Sequence, residues 1–377
     1  MWALMDILRG VAALWVFLYH VHPLATSAGM GGLSAWGYLG VWMFFVISGY
    51  CVTSSAERTI LSSQRGRAFL WRRLVRIFPP FWLSLAVIIA LPFAIEMLSA
   101  VKTGAFHSPD PAYRRNGYRD WLEIITLSRD IVSPGKGFFP PSAVYWTLAI
   151  EVQFYLVLFV LMFARRLLFS AMLVLGALAV AAGFFSVTTY PGSFIPYWPA
   201  FIFGAVLLRV RQRGFSAVGA LGAAALPLGV IGAIGTVAVV AMILASVDAQ
   251  TVSQAPGLVV AAATALFAWF AEPLAVLLVD YRGAWRDPGW RSWLLGVPVA
   301  VGTISYSLYL LHGQLYQLAD LIVRNLPGLA WPVLHLLAVM ALTTAFCGMF
   351  FVLGERPFIL GTRKLRKIPV AQLRPAE

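Results

Sequence analysis

The feature that most constrains this chain is a series of ten apolar runs, most of them about 18 residues or longer. They cover roughly 7–24, 37–53, 78–98, 144–164, 167–186, 195–210, 216–246, 256–279, 294–318 and 331–353. A helix of about 20 apolar residues crosses the hydrocarbon core of a bilayer and satisfies its own backbone polar groups there. The expected fold is therefore all-α, a polytopic transmembrane helix bundle of about ten spans. Composition agrees. Of 377 residues, 60% are apolar and 11% charged, against about 45–50% and about 25% in a soluble domain. Those figures exclude a soluble enzyme, a disordered chain and a disulfide scaffold. Transmembrane barrel strands alternate apolar and polar residues, so continuous runs argue against a barrel too.

The net charge of +13 would suggest nucleic acid in a soluble protein. Here the basic residues lie between the apolar runs. Arg9, Arg58 to Arg76, Arg165 and Arg166, Arg209 to Arg213, Arg282 to Arg291 and the residues from Arg356 onward hold 21 of the 28 Lys and Arg. The positive-inside rule places that set in the cytoplasm, with both termini, and no nucleic-acid partner is expected. The opposite set contains the single long loop, 99–143, which reads as an ordered extracytoplasmic cap. The basic tail 359–377 suits contact with anionic lipid heads. Arg9 followed by an apolar stretch and Ala25–Ala28 imitates a signal peptide, but Asp6, His20 and His22 argue for a retained span. Cys51 and Cys347 imply neither a disulfide framework nor a zinc site. Nothing in the sequence sets an oligomeric state.

An ionisable side chain inside a span costs about 2.5–3.5 kcal/mol on insertion scales, so each needs a partner or a function. The first span carries Asp6, Arg9 and His20. Arg9 and His20 are eleven residues apart, about 16 Å along a helix and within about 20° of one face. Asp6 and Arg9 read as a boundary pair. The fourth span holds Glu151, roughly 10 Å below the outer face. In the ninth, Ser305, Tyr309 and His312 share a face. Arg72, Arg73 and Arg76 run into Ile77-Phe78-Pro79-Pro80 at the loop between spans two and three. Arg73 and Arg76, three residues apart, can grip one anion through planar guanidinium forks. Ser48-Gly49 reads as a close-packing signal. Glu272-Pro273 and Glu355-Arg356-Pro357 read first as boundary ion pairs. No phosphate loop, nucleophile elbow or metal-ligand spacing is present in the sequence, and no metal is expected. On residues alone, an enzyme and a proton-coupled transporter of a sugar or organic acid both remain open.

Four segments resemble the acyltransferase family 3 membrane proteins. They are Met5-Asp6-Ile7-Leu8-Arg9-Gly10 leading to His20; Gly40-Val41 through Phe44-Phe45-Val46-Ile47-Ser48-Gly49; Arg73-Leu74-Val75-Arg76-Ile77-Phe78-Pro79; and Trp146-Thr147-Leu148 with Glu151, Phe154 and Tyr155. Ile304–His312 and Glu355-Arg356-Pro357 add to the pattern, which covers residues 5 to about 358 in order. Val152 departs from it, standing where an acidic residue often follows the glutamate. The resemblance implies one membrane acyltransferase domain over 1–358, in its stand-alone form, in the cytoplasmic membrane of a bacterium. It implies transfer of an acyl group, usually acetyl from acetyl-CoA, to a hydroxyl of a carbohydrate or other extracytoplasmic acceptor. It also marks His20, Arg9, Arg73 and Arg76 as functional. A lipid or small-molecule acceptor is the alternative within that class.

Joined to the residue reading, this gives a scheme. Arg73 and Arg76 hold the phosphates of the donor and His20 takes the hydroxyl proton. Glu151 orients an imidazole, and Tyr309 or His312 donates to the oxyanion. The scheme expects His20 and Glu151 on one cavity, joined past Arg9 to the arginine edge by a passage long enough for a pantetheine arm.

Overall fold

The computed structural model describes residues 2–62, 66–109, 112–133, 136, 144–184, 192–213, 236–237, 254–271 and 290–364. Among these the chain is helical and contains no strand. The helices are α1 (Trp2–His20), α2 (His22–Ser27), α3 (Gly31–Ala35), α4 (Gly40–Leu61), α5 (Gly66–Thr103), α6 (Tyr118–Ile125), α7 (Arg129–Val132), α8 (Trp146–Leu161), α9 (Leu168–Phe184), α10 (Trp198–Gln212), α11 (Gln254–Phe270), α12 (Trp290–Val323), α13 (Pro332–Phe350) and α14 (Arg356–Lys364). Nine of the ten apolar runs coincide with a helix. The 216–246 run, Glu272, Arg282, Arg286 and the tail past 364 lie outside the described residues, apart from 236–237. By length and composition alone, four helical stretches can cross a membrane: Gly37–Leu61, Gly66–Val101, Trp146–Ala182 and Pro332–Leu360.

Two close helix crossings organise the bundle. α1 runs beside α12 at a pair of glycines. A Cβ on Gly302 would lie 1.7 Å from the Asp6 carbonyl oxygen, and one on Gly10 would lie 2.9 Å from the Gly302 nitrogen. α4 and α10 meet in the same way, where Gly49 faces the Phe201 carbonyl and Gly204 the Val46 carbonyl, each 1.9 Å from a built Cβ. Apolar side chains offer little drive for association in lipid, so small residues that let backbones approach supply the contact.

The pairings also give relative directions. Along α1 and α12, Gly10 meets Gly302 and His20 meets His312, so the two are parallel. α5 is antiparallel to α8, since Gly66 lies against Phe159 while Ser84 reaches Tyr145. α13 returns antiparallel to α12, with Gly348 over Ile304 and His335 on Asp320. These directions match the alternation expected of consecutive spans.

One expectation needs correction. Arg72, Arg73 and Arg76 do not sit in a loop before the third span. α5 begins at Gly66 and carries them in one helix that passes through Pro79, Pro80 and Pro92. Pro79 and Pro80 remove two amide donors, and the Tyr306 hydroxyl donates to the neighbouring Ile77 carbonyl at 2.9 Å. The arginines are thereby held in helical register against the bundle.

Candidate active site

A cavity opens between α1, α4, α5, α8 and α12. Its polar wall is made by Arg9, Ser48, Cys51, Arg73, Arg76, Glu151, Tyr155, Ser305 and Tyr306, and its far end by Phe44, Thr147 and Tyr309. The volume is about 80 Å³.

Three of the charged groups that line the cavity, Arg9, Arg73 and Glu151, have hydrogen-bond partners. Arg9 donates to Asp6 at 2.8 Å, the boundary pair the sequence suggested, and Nη2 lies 3.5 Å from Cys51 Sγ. Arg73 donates to the Cys51 carbonyl at 3.4 Å, and its guanidinium lies 5.7 Å from the Tyr155 ring centre and 5.9 Å from that of Phe69. Among the described residues, neither Arg73 nor Arg76 has a carboxylate oxygen within 4.0 Å. Glu151 is held by hydroxyls instead, Ser48 Oγ at 3.1 Å and Tyr155.

Glu355 was read as a boundary ion pair with Arg356. It is 2% exposed and accepts from Ser307 Oγ at 2.6 Å inside the bundle. The cause is local: Phe351–Glu355 is a π-helical turn, which shifts the register after α13 and swings the carboxylate inward. Its charge is felt at Arg76 and Arg9.

The histidines occupy a second region. His20 is not among the residues that line this cavity, whereas Glu151 is. Tyr309 stands between. Its ring is 5.5 Å from Phe44 on the cavity side and 6.2 Å from His312 on the other. Its hydroxyl meets Thr147 Oγ1 and the Val144 carbonyl. Beyond it, His312 lies 5.0 Å from His20, centre to centre. Glu151 therefore faces the arginines and not an imidazole.

His312 is fully buried, and its Nδ1 lies 2.8 Å from the Leu308 carbonyl. A carbonyl only accepts, so Nδ1 carries the hydrogen and the neutral ring presents Nε2 as an acceptor. That atom is buried and has no hydrogen-bond partner. Of the two oxyanion donors expected from the sequence, Tyr309 is the one with a hydrogen to give. Sequence reasoning missed Tyr155, Tyr306, Ser307 and the inward Glu355. The visible signal was a cluster of hydroxyl residues inside apolar runs, at 305–309 and beside Glu151.

Comparison with known proteins fits this picture. The acyltransferase domain profile matches residues 2–352. Nodulation protein 10 of Rhizobium leguminosarum bv. viciae is 32% identical over 119 residues, covering 32% of this chain and 31% of that protein. O-acetyltransferase OatA of Staphylococcus aureus is 30% identical over 156 residues, covering 40% of this chain and 23% of OatA. The matches thus span less than a third of either relative. No solved structure matches. With that profile matching nearly its whole length, the chain belongs to acyltransferase family 3.

Proposed function

We propose that the protein transfers an acetyl group from acetyl-CoA to a hydroxyl of a carbohydrate acceptor, at or across the cytoplasmic membrane of a bacterium. The observation that carries this reading is the pair of arginines, Arg73 and Arg76, facing a cavity with no carboxylate of the described residues within 4.0 Å of either guanidinium. A CoA thioester brings phosphates from the cytoplasmic side, and guanidinium forks suit them. Arg9 adds a third positive charge, tied to Asp6.

His20 is half-buried on the other side of Tyr309, where an acceptor arriving from outside meets it. It takes the proton as the hydroxyl oxygen attacks the thioester carbonyl. The C–S bond then breaks and the thiolate leaves with that proton. His312 supports this end of the site through its free Nε2, and Tyr309 donates to the developing oxyanion. O-acetyltransferase relatives support acetyl as the group and a hydroxyl as the acceptor.

The test uses purified full-length protein with radiolabelled acetyl-CoA, offered a bacterial glycan extract and a lipid extract in parallel. Label entering glycan is the expected result. Label entering lipid alone moves the acceptor to the other class, and label entering neither removes the acetyl-CoA reading.

A further inference from the structure

The chamber contains a charge arrangement that its chemistry alone does not predict. Three arginines and the carboxylates of Asp6, Glu151 and Glu355 sit in and around one small volume, yet among the described residues only Arg9 has formed an ion pair there. In a poorly hydrated interior, opposite charges this near attract strongly, and the lowest-energy empty state would be self-neutralised. On each of the two inner carboxylates, hydroxyl groups hold one of the two oxygens. Ser48 and Tyr155 hold Glu151, and both bonds fall on Oε1. Ser307, fully buried, holds Glu355 just behind the chamber wall.

We propose that Ser307, Ser48 and Tyr155 are positioning residues that hold Glu355 and Glu151 off Arg76 and Arg73, and so keep an anion site open for a polyphosphate group. The site rests on the acyl-CoA reading only for the source of that polyphosphate. A hydroxyl donor satisfies a carboxylate without neutralising it, so the negative charge stays close and tempers the hold on the ligand. A chamber with the carboxylates on the arginines would bind anions poorly, and one without carboxylates would release product slowly.

The experiment titrates CoA and, separately, inorganic pyrophosphate into the purified full-length protein by calorimetry. Ser307→Ala frees Glu355 to compete with the ligand for Arg76. Losing a charge-assisted contact to that competitor should weaken both probes roughly tenfold. The double variant Ser307→Ala with Glu355→Gln should regain wild-type affinity or better, because glutamine cannot neutralise an arginine. Ser307→Thr, which keeps the hydroxyl, should bind as wild type and guards against a folding artefact. Equal affinity of Ser307→Ala and wild type overturns the proposal. So does a double variant that stays weak, since the loss would then be structural. If pyrophosphate follows the pattern and CoA does not bind, the clamp stands and the acyl-CoA reading falls. If neither probe binds wild type at millimolar concentration, there is no open anion site and the proposal fails.

Discussion

Two concentrations of charge among the described residues are built in opposite ways. In the loop between α5 and α8, opposite charges are joined. Arg129 Nη1 and Lys136 Nζ lie 3.1 and 3.2 Å from Asp120 Oδ1, and Arg119 Nε lies 2.9 Å from Glu123 Oε1. In the chamber, Arg73 and Arg76 form no ion pair with Glu151 or Glu355 among the described residues, and each of those carboxylates has one oxygen held by hydroxyls. The first arrangement spends its bonding capacity on holding helices α6 and α7 in place. The second leaves capacity unspent, which in a low-dielectric interior is costly unless a ligand uses it. Paired charge marks structure here, and separated charge marks a site.

His20 belongs to neither concentration, and it sets the scale of the largest expected effect. If it is the base, His20→Ala lowers acetyl transfer by about 10²–10⁴-fold, while CoA titrates with unchanged affinity and the protein accumulates normally. Wild-type turnover by this variant would take the chemistry away from the imidazole pair and return it to the chamber.

Next in size are the chamber arginines. Arg73→Ala and Arg76→Ala should each weaken CoA binding by about 10–100-fold, the weight of one charge-assisted contact, and weaken the acceptor less. Calorimetry for the donor and the acceptor KM separate the two. Equal losses on both sides would mean that the arginines shape the bundle and do not grip the donor.

Arg129→Met probes the other arrangement. Arg129 is 5% exposed, so its loss leaves part of Asp120 unanswered, though Lys136 remains. The expected cost is about 1–2 kcal/mol, read as a lower Tm and faster cleavage of the loop by protease, with CoA affinity intact. A loss of CoA affinity would show that the loop reports to the chamber.

This contrast explains what could be read in the sequence and what could not. The helices were legible because lipid demands long apolar runs. The Asp6–Arg9 pair was legible because three residues on a helix bring side chains together. His20 and Glu151 were both visible as ionisable groups in apolar spans, but which of them share a cavity is a matter of rotation about helix axes. The Tyr309 ring decides it, through contacts with α4 and α8 that no local pattern encodes. Glu355 was misplaced for a related reason. An α-helical count puts it at a boundary, and one π-helical turn moves it inside. Pro79-Pro80 looked like an edge because proline usually ends a helix, whereas packing against α12 carries α5 through it.

The smallest expected effect is the response of the outer loop to acid. Asp120 accepts from the Gly117 backbone N–H at 3.0 Å and from Lys136 and Arg129. The Gly117 bond first, then Lys136, hold its carboxyl below its ordinary range. A carboxyl depressed by folding adds stability above its unfolded value, near 4, and loses it as pH falls through the lower folded value. The loop should therefore keep constant protease resistance from pH 7 to about pH 4 and lose some below. Asp120→Asn cannot ionise, so it should start less resistant at neutral pH and show a flatter profile over the same range. Limited proteolysis with an acid-active protease, cutting between α6 and α8, follows both. If the wild type softens well above pH 4 while Asp120→Asn does not, Asp120 ionises too high to be held by its partners. The outer cluster would then be as unpaired as the chamber, and the distinction between the two regions would fail.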